Sequence, residues 1–179
     1  AAHEKLEPAA LAYGFGTAKF GVNRRVLKEG HWSGFGVVPT GVVDHSLPVL
    51  TVRDPSGEKL RAVLVNYACH CTTLGGSFNK LHGDWAGCVQ EQLEREHPGC
   101  TALVSIGCGA DANPEPRKDD LTIVRAHGDE IAREVAKLLK NEKSWTSIAG
   151  PVATRRESFD LPLAALPTRE EFESRAATK

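Results

Sequence analysis

Leu60–Tyr67 is a nearly continuous apolar run, Thr101–Ile106 is a second, and a capped amphipathic stretch lies between them. That order confines the chain to few folds. A run such as Leu60–Tyr67 suits a central strand covered on both faces. Asp84 is placed to cap a helix reaching about Glu96, with Val89 and Leu93 on its buried stripe and His97-Pro98-Gly99 ending it. Thr101–Ile106 then reads as a short buried strand. Strand, helix and strand in succession predict an α/β fold, a mixed β-sheet core with flanking helices. Both strands deliver polar or turn-forming residues at their C-terminal ends, where such folds gather ligands and catalytic groups.

The flanking sequence extends this plan. Residues 1–48 are rich in glycine (Gly14, Gly16, Gly21, Gly30, Gly34, Gly36, Gly41) and read as loops and short extended pieces laid over a core. Asp54-Pro55-Ser56-Gly57 is a turn signal that pairs Val49–Val52 with Leu60–Tyr67 as a hairpin. Asp119 or Asp120 can cap a longer helix to about Asn141, whose Leu121, Val124, Gly128, Ile131, Val135 and Leu138 recur three and four apart. Val152–Leu161 reads as one more strand, and Thr168 with Glu171 as a capping box. The well-signalled helix start just before Lys179 leads us to expect a single domain segment over residues 1–179, incomplete at both ends.

Bulk properties exclude several classes. The 179 residues carry 22 Lys and Arg against 23 Asp and Glu, so net charge gives no reason to invoke nucleic acid or a membrane surface. No run approaches the roughly 18 apolar residues of a membrane span. The five cysteines, Cys69, Cys71, Cys88, Cys100 and Cys108, sit in or beside apolar segments and read as buried thiols.

Three places carry candidate chemistry. His70 follows the first strand; on continued strand geometry Cys69 and Cys71 share one face and His70 takes the other, which argues against a chelate of three consecutive residues. His70 reads either as a histidine hydrogen-bonded to backbone or as a zinc ligand. Gly107-Cys108-Gly109-Ala110-Asp111-Ala112-Asn113-Pro114 is either a structural turn or a binding loop, and it lacks dinucleotide or P-loop spacing. Asp84 in Gly83-Asp84-Trp85-Ala86-Gly87 reads as a helix cap before it reads as an acid or base.

In order and spacing these residues resemble the N-terminal catalytic domain of neutral (alkaline, non-lysosomal) ceramidases. Phe20-Gly21-Val22-Asn23-Arg24-Arg25 is similar to the family's Asn-Arg segment, and Asp44-His45-Ser46-Leu47-Pro48-Val49-Leu50 to the strand opening after it. Asn66-Tyr67-Ala68-Cys69-His70 resembles the family's Trp-Phe-Ala-x-His strand end, whose histidine binds zinc. Gly83-Asp84-Trp85-Ala86-Gly87 resembles the Ser-Asp-Asn-x-Gly helix start, and Gly107–Pro114 the Gly-Asp-x-Ser-Pro loop. The resemblance implies a mixed α/β zinc amidohydrolase, secreted or periplasmic, that cleaves the N-acyl bond of ceramide or a related lipid amide. It implies His70 as a Zn2+ ligand and Arg24, Asp111 and Asn113 as catalytic-site residues.

Two departures qualify what is carried over. Asn113 stands where the family has its serine, and an amide cannot become an alkoxide nucleophile, although it can hydrogen-bond an oxyanion. The family's further zinc ligands come from an upstream His-x-His motif and a downstream glutamate and tyrosine. No His-x-His motif precedes Arg24, so the other ligands are expected outside this segment. Two competing readings stand beside the hydrolase: a non-catalytic α/β domain that binds a ligand or partner at the same edge, and a cysteine-dependent enzyme pairing Cys71 or Cys108 with His70 or His82.

Overall fold

The computed structural model describes Glu4 and residues 6–151, 153–163 and 165–178. The chain falls into two compact units, Ala1–Ala149 and Gly150–Lys179. The first unit is α/β, as the order of elements predicts. Its strands are β1 (Ala10–Thr17), β2 (Gly21–Lys28), β3 (His31–Val38), β4 (Ser46–Arg53), β5 (Leu60–Tyr67), β6 (Thr101–Ile106), β7 (Ala112–Pro114) and β8 (Thr146–Ile148). They form a five-stranded sheet, ordered β6-β5-β4-β1-β8, and a three-stranded sheet, ordered β3-β2-β7. Helices α1 (Asp84–Glu96) and α2 (Leu121–Lys140) cover one face of the larger sheet.

The predicted hairpin is present: β4 and β5 pair antiparallel, Val49 opposite Val65. β5 and β6 pair parallel, with Tyr67 opposite Ile106, because α1 carries the chain back across the sheet between them. Val63, Val65 and Tyr67 of β5 meet Val89 and Leu93 of α1 and Ile131 and Val135 of α2 in one core. The expectation that β5 is covered on both faces is corrected: Leu64 and Asn66 on its opposite face are only half-buried, and Leu103 of β6 is 49% exposed. Thr101–Ile106 is likewise an edge strand, with Ala102 buried but Leu103 and Ile106 open.

Helix α2 starts and stops as expected. Asp120 caps it by accepting from Thr122 N at 2.8 Å, and Asn141 follows its last residue. For α1 the cap assignment is corrected. Gly83 is the N-cap, and Asp84 is the first helical residue at φ 51°. Its buried carboxylate accepts from Trp85 N at 2.7 Å and from Leu74 N at 3.0 Å. Asp84 therefore ties the loop after β5 onto the helix start, a left-handed conformation that aspartate tolerates.

The glycine-rich N-terminus is corrected as well. It forms three eight-residue strands, and β1 lies inside the larger sheet between β4 and β8. Gly14 and Gly16 face inward; a Cβ would meet Ser144 O at 2.7 Å on the first and Glu134 Cγ at 2.7 Å on the second. Those glycines admit a close neighbour rather than a turn.

In the second unit, helix α3 (Arg169–Ala177) opens with the predicted capping box of Thr168 and Glu171. The strand expected over Val152–Leu161 is not formed: residues 153–161 are irregular and exposed, and Val152 lies outside the described residues. The cysteines divide. Cys69 and Cys100 are buried and Cys88 is intermediate, but Cys71 and Cys108 are exposed, since both stand in loops beyond the strand ends.

Candidate functional site

The parallel register of β5 and β6 sets the site. With Tyr67 opposite Ile106, residues 68–73 and 107–113 leave adjacent strand ends together. They pack without room between them: a Cβ on Gly109 would lie 2.5 Å from Ala68 C and Cys69 N, both backbone atoms. The smaller sheet is fastened to the same edge by Tyr67, whose buried hydroxyl donates to Ala18 O and accepts from Gly21 N, each at 3.0 Å. Burial pushes that phenol well above its usual range.

The second loop closes as β7, antiparallel to β2 with Val22 opposite Asn113 and Asn23 opposite Ala112. Asn113 is therefore a strand residue, not a turn residue. This pairing brings Arg24 across. Its main-chain N–H donates to Asp111 O at 2.8 Å, its Nε to Ala110 O at 3.1 Å and its Nη1 to Asn113 Oδ1 at 3.4 Å. The guanidinium also lies 4.3 Å over the Phe35 ring. Asn113 Oδ1 accepts a second hydrogen bond, from Thr72 Oγ1 at 3.3 Å. Thr72 is held in turn by Arg117, whose Nε donates to Thr72 O at 2.7 Å. Two donors on Oδ1 hold the amide in place, and Asn113 lines a cleft of about 350 Å³ with Val22, Phe35, Val37, Glu115 and Arg117.

His70 lies three residues beyond β5. Its Nδ1 is 2.7 Å from Gly109 O and 3.1 Å from Ala112 O, and its main chain is tied to the same loop through Ala112 O at 3.1 Å and to Trp85 Nε1 at 2.9 Å. Carbonyl oxygens only accept, so Nδ1 carries a proton and Nε2 is the ring nitrogen left for a further partner. Backbone carbonyls on one ring nitrogen commonly orient a histidine that ligates a metal through the other.

Arg24, Asn113 and His70 are thus brought to one sheet edge. Asp111 joins them through its carbonyl; no hydrogen bond to its carboxylate is present among the described residues. Thr72, which donates to Asn113 Oδ1, is the member that sequence reasoning passed over. The residues do not make a zinc site by themselves. A catalytic zinc takes three protein ligands, and no group of three His, Cys, Asp or Glu side chains is placed to hold a metal among the described residues.

The cysteine-enzyme reading loses its support here. Although Cys71 is exposed as a residue, desolvation by the atoms packed around its sulfur and the nearby Asp84 carboxylate push the thiol up to about 11, so it stays protonated at neutral pH. No cysteine sulfur hydrogen-bonds a histidine ring among the described residues, and His82 Nδ1 accepts instead from Asp84 N at 2.9 Å. No described helix is long and apolar enough to cross a membrane.

No protein-family model and no curated protein matches this sequence. Its fold, however, is similar to that of solved structures. A ceramidase complexed with C2 aligns over 80% of this chain and 24% of its own, with a TM-score of 0.64 and 16% identity. A neutral ceramidase from Pseudomonas aeruginosa aligns over the same shares, 80% and 24%, with a TM-score of 0.61 and 18% identity. The chain thus shares the fold of part of these ceramidases, in keeping with the family resemblance of its motifs, and spans about a quarter of their length.

Proposed function

We propose that this chain, with the fold of a ceramidase segment, belongs to a ceramidase-like hydrolase that cleaves a linear N-acyl bond, of ceramide or a related lipid amide, outside the cytoplasm. The observation that carries the reading is Asn113. Arg24 and Thr72 both donate to its Oδ1 and the residue lines the cleft, so its Nδ2 would serve there as a preset donor. A donor fixed before the reaction stabilises the oxyanion that develops as an amide carbonyl is attacked, without reorganising to do so. Arg24 orients this amide and places positive charge beside it. Asp111 contributes through the carbonyl that holds the main chain of Arg24 in register.

Zinc dependence belongs to the proposal as well. His70 would offer Nε2 as one ligand, and further donors would come from outside the residues gathered here. The test is metal analysis of the full-length protein, followed by N-acyl hydrolysis with and without a chelator. Hydrolysis that stops on chelation and returns with zinc is the expected result. Hydrolysis indifferent to chelation overturns the zinc assignment, and no hydrolysis of long- or short-chain N-acyl substrates overturns the enzyme reading.

One observation favours a second reading. The family's serine position holds Asn113, which cannot attack a carbonyl. A non-catalytic domain that binds an amide in the same cleft would show saturable binding of N-acyl compounds with no turnover.

A further inference from the structure

Arg117 is exposed as a residue, a setting in which an arginine is usually solvated. Its Nε is nevertheless committed to Thr72 O at 2.7 Å, the short end of the range for charge-assisted hydrogen bonds. The main chain that carries it is anchored on both of the preceding residues. Glu115 N donates to Phe20 O at 2.8 Å, and Pro116 O accepts from His127 Nε2 at 3.0 Å. His127 is buried in α2 and stacks on Phe20 with ring centroids 4.4 Å apart. Phe20 belongs to the core, so Arg117 reaches Thr72 from a backbone that the core holds.

The loop that receives it is held elsewhere by other groups. The Asp84 carboxylate takes Leu74 N, and that of Asp119 takes Gly75 N and Ser77 Oγ. Neither reaches Thr72. Among the described residues, Arg117 makes the one hydrogen bond to the Thr72 main chain. Thr72 in turn donates from Oγ1 to Asn113 Oδ1 at 3.3 Å. That contact is already longer than the usual O–H···O bond, so a small retreat of Thr72 would end it. Asn113 would then keep only Arg24, at 3.4 Å, on its oxygen.

We propose that Arg117 is a positioning residue for the Asn113 amide and acts through Thr72, an inference that rests on the oxyanion-donor reading above. The path runs from Arg117 Nε to Thr72 O and from Thr72 Oγ1 to Asn113 Oδ1. Its effect falls on turnover, because a preset donor moved by about 1 Å loses on the order of 10²-fold.

The test is steady-state kinetics of the full-length protein on an N-acyl amide, in Arg117→Met, Arg117→Lys, Thr72→Val and the combined Arg117→Met/Thr72→Val variant. Methionine keeps much of the side-chain length without a donor, and valine keeps the shape of threonine without its hydroxyl. In Arg117→Met kcat should fall about 10–100-fold while KM stays within about threefold of wild type. Arg117→Lys, which keeps a charged donor, should recover most of that loss. Thr72→Val should lose a similar factor, and the combined variant should be no slower than the slower single one, since both changes break one path.

Unchanged kcat in either Arg117→Met or Thr72→Val, or losses that multiply in the combined variant, overturns the proposal. A raised KM at unchanged kcat overturns it too and makes Arg117 a substrate contact. Thr72→Val leaves Arg117 in place, so it decides the matter even if Arg117→Met does not fold. If the wild type hydrolyses no N-acyl amide, the hydrolase reading falls, and the path is read instead from the side-chain NH2 resonances of Asn113 in protein carrying isotope-labelled asparagine. Resonances that shift in Arg117→Met and Thr72→Val and return in Arg117→Lys uphold the path; resonances unmoved in Arg117→Met overturn it.

Discussion

Arg24 and Asn113 are 89 residues apart in sequence, yet the guanidinium Nη1 of one donates to the side-chain oxygen of the other at 3.4 Å. The contact exists because β7, only three residues long, pairs with β2. It leaves Asn113 with a committed acceptor and an uncommitted donor.

Asn113→Asp separates those two halves. The carboxylate keeps an acceptor for Arg24 and Thr72 but loses the Nδ2 donor. In the full-length protein kcat should fall on the order of 10²–10³-fold, while thermal stability holds or rises slightly, because Arg24 gains a charged partner. Steady-state kinetics and a melting curve on the same sample check this. Full activity in Asn113→Asp would remove the oxyanion role.

A similar substitution isolates the histidine. His70→Asn can place an amide N–H near the position of Nδ1, still facing Gly109 O and Ala112 O, but it has nothing in place of Nε2. Metal content of the full-length protein should drop by more than about tenfold, with less than about 1 kcal/mol lost in stability. His70→Ala should lose the metal and also about 0.5–1.5 kcal/mol, because the ring's hydrogen bonds to Gly109 O and Ala112 O are lost while each carbonyl keeps its main-chain donor. Equal metal content in wild type and His70→Asn, measured by atomic absorption, would dismiss the ligand.

Gly109 tests whether the two loops are fitted to one another. A methyl group there would lie 2.5 Å from backbone atoms of residues 68 and 69, which cannot rotate away as a side-chain tip can. Gly109→Ala should cost about 1–3 kcal/mol and lower Tm by about 2–4 °C per kcal/mol. A melting temperature within 1 °C of wild type would show that the loop moves freely.

The buried thiols predict alkaline sensitivity. Burial pushes Cys69 up to about 12 from an ordinary value near 9. Between those values the unfolded chain releases the proton and the folded chain keeps it. This contribution to stability is therefore whole below about pH 9 and declines as pH rises toward 12, by up to about 1.4 kcal/mol per pH unit. Denaturant midpoints measured from pH 8 to 11 should fall more steeply for wild type than for Cys69→Ala. Parallel curves would contradict the assignment.

What the sequence disclosed depended on whether the signal was local. The β4–β5 hairpin, the cap at Asp120 and the Thr168–Glu171 box each rest on residues a few positions apart, and each is found. β1 was hidden because its inward positions are Gly14 and Gly16, which look like loop until Ser144 and Glu134 are seen pressing on them. Residues 153–161 carry only Phe159 and Leu161 in alternation, and no strand forms there. Arg24, His70 and Asn113 were legible through motif resemblance, whereas Thr72 depends on a partner 41 residues away.

The parallel register of β5 and β6 acts as a ruler for this protein's evolution and engineering. Every residue of Thr101–Ile106 is matched to one of Ala62–Tyr67. Deleting one residue from β6 would shift Gly107–Pro114 by about 3.3 Å and exchange its inward and outward faces, separating Asn113 from Arg24 and Thr72 together. Variation in length is therefore barred from the strands and directed to the stretch around Ser77–Lys80, between β5 and α1. A relative that acquires a new substrate has that stretch as its place to change.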